Sequence, residues 1–375
     1  MRIAARLLTL TTALLMVAAC NKVTHTPKII GTMPDTESGY HLGVSACYAA
    51  TAEGRMLLAG GCNFPETSAA EGGKKRYYKG IYSSPTSTVL QWEKVGELPE
   101  ASAYGVSLSH GNSLIIVGGM NENGPHGEAY MISPAEQSCR IKRLPPLPCT
   151  IDNAAGAISG NRIYVIGGNI DGKPSRRVFT LDINNPSLGW NEKAPYPGRG
   201  RVQPVCAATD EALYVWGGFT PKDSTGEATL HCDGAKYEFR SDKWSHLPAV
   251  TDEAGNELTL SGGTALTIDN NKIIATGGVD RTIFEDAISG RYQCIAKEEY
   301  MHQPAEWYKF NKKMLLFDTT GEKWQTICED KIFARAGALL TTDGENIFYV
   351  GGELKPGIRT ADIAATDTEI VNKNR

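Results

Sequence analysis

The chain lacks a basic excess. Across 375 residues, 38 lysines and arginines face 42 aspartates and glutamates, for a formal net charge of -4. That balance removes the electrostatic footprint expected of a nucleic-acid binder. An anionic ligand must therefore be held by a local group of cations working against the background. Metal chemistry is also poorly supplied. The nine cysteines include no CxxC and nothing at zinc-ligand spacing. His25, His41, His110, His126, His231, His246 and His302 are scattered without motif spacing, so the clustered ligands of a copper site are missing. The composition is not biased enough for disorder, and 40 glycines are too many for a helical bundle. What remains is a chain with 41% hydrophobic residues, ample for a buried core.

The long apolar run lies at the start. MRIAARLLTLTTALLMVAAC carries Arg2 and Arg6, then an apolar and hydroxyl stretch from Leu7 to Ala19. This is the layout of a secretory signal and is short for a membrane span. Val17-Ala18-Ala19-Cys20 resembles a bacterial lipobox, which predicts cleavage and lipidation at Cys20, a membrane contact through that anchor only, and a tether over 20–27. Asn21 is not the aspartate associated with inner-membrane retention, so the expected address is the periplasmic face of the outer membrane. The eight cysteines beyond Cys20 permit disulfides in an exported protein. Cys139 with Cys149 is the most local pair, but spacing does not fix connectivity.

Internal periodicity decides the fold class. A glycine pair closes an apolar, strand-like run six times: LLAGG, IIVGG, YVIGG, YVWGG, IATGG and FYVGG, from Gly60-Gly61 to Gly351-Gly352. A second strand-like run ending in a polar turn precedes most of them, as in YGVSLSHGNS and GTALTIDNN. Trp92, Trp190, Trp244 and Trp324 open outer strands after several of the pairs. This is the kelch pattern of four antiparallel strands per blade. The expectation is an all-β, six-bladed kelch-type β-propeller over 28–375. KIIGTMP near the N-terminus resembles EKVGELP, the outer strand of the first unit, and only one strand's length follows Gly352. The N-terminal strand should therefore complete the C-terminal blade and remove two exposed edges. Long insertions follow Gly61 and Gly278, and should lie as loops on one face.

GGELKPGIRT, Gly351 to Thr360, resembles the signature of bacterial N-acetylneuraminate epimerases, the sialic acid mutarotases, and CNFPETSAAEGGKK resembles a second stretch of that family. AYGVSLSHGNSLIIVGG and TGGVDRTIFED match further segments, and the different starting blade suggests a cyclically permuted branch. The resemblance implies that Glu353 accepts a proton and that Arg359 holds the substrate carboxylate. It implies interconversion of the α and β anomers of a small-molecule substrate, N-acetylneuraminate, in support of its uptake. No metal or other cofactor is required, because the uncatalysed reaction already proceeds. Some relatives carry an arginine shortly before Ala-Tyr-Gly-Val-Ser, where this chain has Ser102. If that cation helps hold the carboxylate, this protein must use another or prefer a different sugar.

The chemistry suits the signature. Opening a 2-keto sugar ring requires a base at the anomeric hydroxyl and an acid at the ring oxygen. The carboxylate on the anomeric carbon calls for a fixed cation, preferably arginine. A hairpin turning at Pro356-Gly357 should set Leu354 roughly opposite Arg359, with Glu353 nearby and Lys355 at its shoulder. Lys74 and Lys75 are candidates for positive potential or the acid, and Asn63 for sugar hydroxyls. Arg201, Gln203 and Arg335 open inner strands near the expected channel. Tyr104, Tyr300, Trp307 and Tyr308 are candidates to stack on sugar. The rival reading is a noncatalytic kelch lipoprotein binding a glycan or protein. A sialidase is disfavoured because Asp-box turns are missing.

Overall fold

The computed structural model describes residues 26–86, 89–224 and 226–372. The expected signal segment 1–19, Cys20 and most of the expected tether lie outside these residues. Among the described residues, no helix is long and apolar enough to cross a membrane.

Among the described residues the fold is all-β, with one short α-helix, Arg281–Ile288. Four sheets have four strands, and a nine-stranded sheet consists of two such meanders, linked by a pairing of His126 with Ile151, plus the short strand Lys173–Pro174. Each meander opens with an inner strand: Tyr48–Ala52, Val106–His110, Ile151–Ser159, Val205–Ala208, Gly263–Asp269 and Leu339–Thr342. Each inner strand pairs with the next strand, which ends in, directly before or two residues beyond a glycine pair. The N-terminal strand Lys28–Thr32 pairs antiparallel with Asp362–Asp367, as the matching heptapeptides anticipated. The inner strands contact one another in chain order, and Leu339–Thr342 also contacts Tyr48–Ala52.

The chain entering each inner strand shows why glycine is required. A Cβ on Gly60, Gly118, Gly167, Gly277 or Gly351 would lie 2.4–2.9 Å from the carbonyl oxygen of Ser102, Ile151, Arg201, Arg335 or Val44, respectively. That oxygen belongs to the following sheet, or for Gly351 to the first. The NH of the second glycine donates to this carbonyl at Gly61, Gly168, Gly278 and Gly352, at 2.8–3.0 Å. The close approach is thus between neighbouring sheets.

Two residues beyond each of those contact residues, and beyond Leu260 in the fifth sheet, the backbone turns left-handed, at Ala46, Tyr104, Asn153, Gln203, Gly262 and Gly337. These six positions hydrogen-bond in a continuous circuit. The NH of Tyr104 donates to Ala46, Asn153 to Tyr104, Gln203 to Asn153, Gly262 to Gln203, Gly337 to Gly262 and Ala46 to Gly337, at 2.7–3.2 Å. Outer strands are stitched similarly: the indole NH of Trp92 donates to Thr32, that of Trp190 to Pro145 and that of Trp244 to Ala194, each at 2.8 Å.

The eight described cysteines are free thiols, so Cys139 and Cys149 are not bridged.

Gly277 has φ 72° and the Arg335 oxygen 2.6 Å from a would-be Cβ. Gly277→Ala should cost about 1–3 kcal/mol of stability, measured by urea unfolding. Gly160→Ala, left-handed but with open space around it, should cost less and isolates the backbone contribution.

Candidate active site

The residue after each glycine pair is hydrogen-bonded or bridged to the residue just before a circuit position. These residues are Cys62, Met120, Asn169, Phe219, Val279 and Glu353. Glu353 is anchored there by reciprocal backbone hydrogen bonds with Ala336, of 2.9 and 2.7 Å. It opens a hairpin, Glu353–Lys355 with Ile358–Arg359, that turns at Pro356-Gly357 with Gly357 at φ 84°.

The register differs from the expected one. Glu353 itself pairs with Arg359 and Lys355 with Ile358, with a one-residue slip between them. Leu354 falls in the slip, so carboxylate and guanidinium are brought together more directly than a regular ladder would allow. Glu353 Oε1 lies 3.1 Å from Arg359 Nη1 and accepts from the Gly357 NH at 2.7 Å. Both contacts fall on Oε1. Arg359 is 4% exposed in its side chain; its Nε donates to Ser45 Oγ at 3.1 Å and its plane lies 4.9 Å from the Phe64 ring centroid. Nη1, although close to Glu353, is buried without a properly directed hydrogen bond. Burial works against the charge on this guanidinium, but Glu353 and then Tyr104 outweigh it and the net shift is upward.

Around this pair is a cavity of about 270 Å³, lined by Lys75, Tyr104, Asp280, Glu353 and Arg359 among apolar and aromatic walls. Lys75 Nζ donates to the Tyr104 hydroxyl at 3.0 Å and stands over that ring at 4.8 Å. Asp280 is engaged as the helix N-cap, its Oδ1 accepting from the Ile283 NH at 2.9 Å. The two long insertions meet here, where Ala69–Glu71 contacts Lys297–His302. Gly357 lies against both, with Ala69 Cβ 2.6 Å and Met301 Cε 3.5 Å from where a Cβ would stand. A larger space of about 560 Å³ lies between the six inner strands, lined by small, hydroxyl and aliphatic side chains with Asp210, Asp269 and Asn270. Its lining carries no lysine or arginine to hold an anion.

The candidates divide accordingly. Glu353, Arg359, Lys75 and Tyr104 line the cavity, as do Tyr300 and Tyr308. Trp307 instead packs edge-to-face behind Tyr300 and Tyr308. Lys355 does not line the cavity, because its ammonium clamps the insertion by donating to the Gln303 carbonyl at 2.6 Å. Asn63 is 2% exposed and consumed structurally, donating to Gly39 and Gly43 carbonyls and accepting from Tyr78, each at 2.8 Å. Lys74 is exposed and outside the lining.

Arg201 and Arg335 are internal plugs. Arg201 Nη1 donates to the Gly217 carbonyl at 3.0 Å and pairs with Asp233, while Arg335 Nη1 donates to the carbonyls of Gly351 and Asp362. Gln203 belongs to the backbone circuit, and its amide donates to Asn153 Oδ1 at 2.9 Å. Ser102 stands at the same point of its sheet as Arg201 and Arg335, and is buried against Tyr48 and His126 at 2.6 and 2.9 Å. The two arginines at that point turn inward to the carbonyls of glycine pairs. Phe64, beneath both cations, was overlooked; its only signal was its place beside Asn63 in the second family-like stretch.

A family model described as N-acetylneuraminate epimerase matches residues 9–133 and 144–374. The chain belongs to that family. It is 32% identical over 239 residues to the N-acetylneuraminate epimerase of Haemophilus influenzae (strain PittEE), covering 60% of this chain and 59% of that protein. It is 28% identical over 247 residues to the N-acetylneuraminate epimerase of Shigella sonnei (strain Ss046), covering 64% of each, and 26% identical over 225 residues to that of Salmonella newport (strain SL254), covering 58% and 56%. The aligned stretches thus span less than two thirds of these relatives.

Because Asn63 makes three buried hydrogen bonds, Asn63→Ala should lose about 2–4 kcal/mol in urea unfolding. Lys74→Ala should stay within about 0.5 kcal/mol of the parent protein.

Proposed function

We propose that this protein is a mutarotase that interconverts the α and β anomers of N-acetylneuraminate. The observation that carries the reading is the Glu353–Arg359 pair, 3.1 Å apart and both lining one cavity of monosaccharide scale. A carboxylate in a walled cavity would repel an anionic sugar. Arg359 and Lys75 offset that charge from the same lining, and Arg359 Nη1 lies 3.1 Å from Glu353 Oε1 without a well-directed hydrogen bond. The sugar carboxylate binds Arg359, displacing its interaction with Glu353 and setting the anomeric carbon beside that residue. Glu353 Oε2, which accepts no hydrogen bond among the described residues, takes the anomeric proton as the C–O ring bond breaks. Rotation about the exposed keto carbon and reclosure give the other anomer.

The scaffold in this reading is a closed six-bladed kelch propeller over 28–375, supported by the circuit of inner-strand hydrogen bonds and the pairing of Lys28–Thr32 with Asp362–Asp367. Export and a lipid anchor at Cys20 belong to the same proposal, with residues 1–20 as their support. There the enzyme would supply a transporter with the anomer it accepts, after a sialidase releases the other.

Freshly released α-N-acetylneuraminate, followed by NMR, should reach anomeric equilibrium faster with micromolar protein than in buffer. Glu353→Gln should lose at least about 100-fold in rate while still binding the sugar. Binding without acceleration by the parent protein would support the glycan-binding rival instead.

A further inference from the structure

The reaction needs an acid as well as a base, and the cavity holds one phenol set apart from the others. Tyr104 belongs to the backbone circuit: its NH donates to Ala46 and its carbonyl accepts from Asn153 at 3.1 and 2.7 Å. It sits at φ 62°, a left-handed conformation that is uncommon for a bulky residue and costs energy to hold. The hydrogen bonds on both sides fix that conformation and hence the point from which the side chain starts. Its hydroxyl accepts from Lys75 Nζ, which leaves the phenolic proton for a different acceptor. The charged and titratable groups around it come from separate segments: Lys75 from one insertion, Arg359 and Glu353 from the hairpin, and Cys62 from directly after the first glycine pair. Tyr300 and Tyr308 also line the cavity, but the Tyr308 hydroxyl is spent on the Tyr300 carbonyl.

We propose that Tyr104 is the general acid of this site, protonating the ring oxygen during opening, with Lys75 as its positioning and charge-stabilising partner. This rests on the mutarotase reading. The anomeric O–H bond breaks and its proton goes to Glu353. The electrons of that bond form the keto C=O, and those of the C–O ring bond pass to the ring oxygen. That oxygen takes the proton of Tyr104, leaving a phenolate between the Lys75 ammonium and the Arg359 guanidinium. Reclosure returns both protons, so no co-reactant is consumed. Withdrawal from water, reinforced by Cys62, holds the phenol's pKa well above its ordinary value. The proton-bearing form is therefore present throughout the physiological range. The cations matter at the transition state, where negative charge develops on the phenolic oxygen.

The test uses the intact protein, with anomer exchange of N-acetylneuraminate measured by NMR across substrate concentrations. Tyr104→Phe keeps the ring, and should lower kcat at least about 100-fold with KM within about threefold. Lys75→Met should lower kcat about tenfold, and Lys75→Arg should recover most of that loss. A Tyr104→Phe variant retaining kcat within threefold, or raising only KM, would overturn the assignment and leave the mutarotase reading standing. So would a Lys75→Met variant that loses more than Tyr104→Phe, which would make the ammonium itself the acid. Absence of acceleration by the parent protein would overturn both the assignment and the reading beneath it.

Discussion

A glycine that leaves room for the neighbouring sheet's carbonyl is the constraint on which this molecule depends. At Gly60, Gly118, Gly167, Gly277 and Gly351, a single methyl group would collide with the chain entering the next inner strand. Four of the following glycines convert that clearance into a hydrogen bond between sheets. A β-sheet with an open edge is prone to pair with other chains. Here the edges are handled in two places: the inner ends join in the six-member circuit, and the terminal strand Lys28–Thr32 covers Asp362–Asp367.

The same interlock positions Glu353. Gly352 NH is held by the Val44 carbonyl at 3.0 Å, and Glu353, one residue further, is held by Ala336. Its backbone therefore has little freedom, and the Glu353 carboxylate inherits a defined origin. Of the equivalent positions, Cys62, Met120, Phe219 and Val279 carry no charge and Asn169 is a neutral amide. An acidic side chain is not needed to close the sheets. It departs from the repeat at the point where two insertions and a hairpin enclose a cavity, which is where departures from a structural pattern are expected to serve function. The anion is retained because Arg359 and Lys75 share that space, a local answer to the overall acidic balance.

The all-β class and its repeated antiparallel meander were legible because their rule is local and repeated: six glycine pairs, and an end segment that matches an outer strand. The Glu353–Arg359 pairing was legible in kind but not in register, since nothing in GELKPGIR marks the slip that removes Leu354 from the ladder. The weaker candidates are engaged elsewhere for a common reason. Asn63 directly follows a glycine pair and its neighbour, Arg201 and Arg335 precede inner strands, and their types suit a ligand. However, the groups that claim them are main-chain carbonyls brought from other strands and turns. Lys355 is likewise claimed by Gln303, 52 residues away in the chain. Such partners become visible only when the chain is folded. Tyr104 shows a different case: its type marked it as a candidate, but its left-handed backbone and its place in the circuit leave no trace in the sequence.

The most direct measurement is a crystal structure of the Glu353→Gln protein soaked with N-acetylneuraminate. The account predicts the sugar in the cavity between the two insertions. Its carboxylate should meet the Arg359 guanidinium, with the anomeric hydroxyl within about 3 Å of the residue-353 amide. A sugar seated in the space between the inner strands, or one whose carboxylate is held by groups other than Arg359, would contradict it.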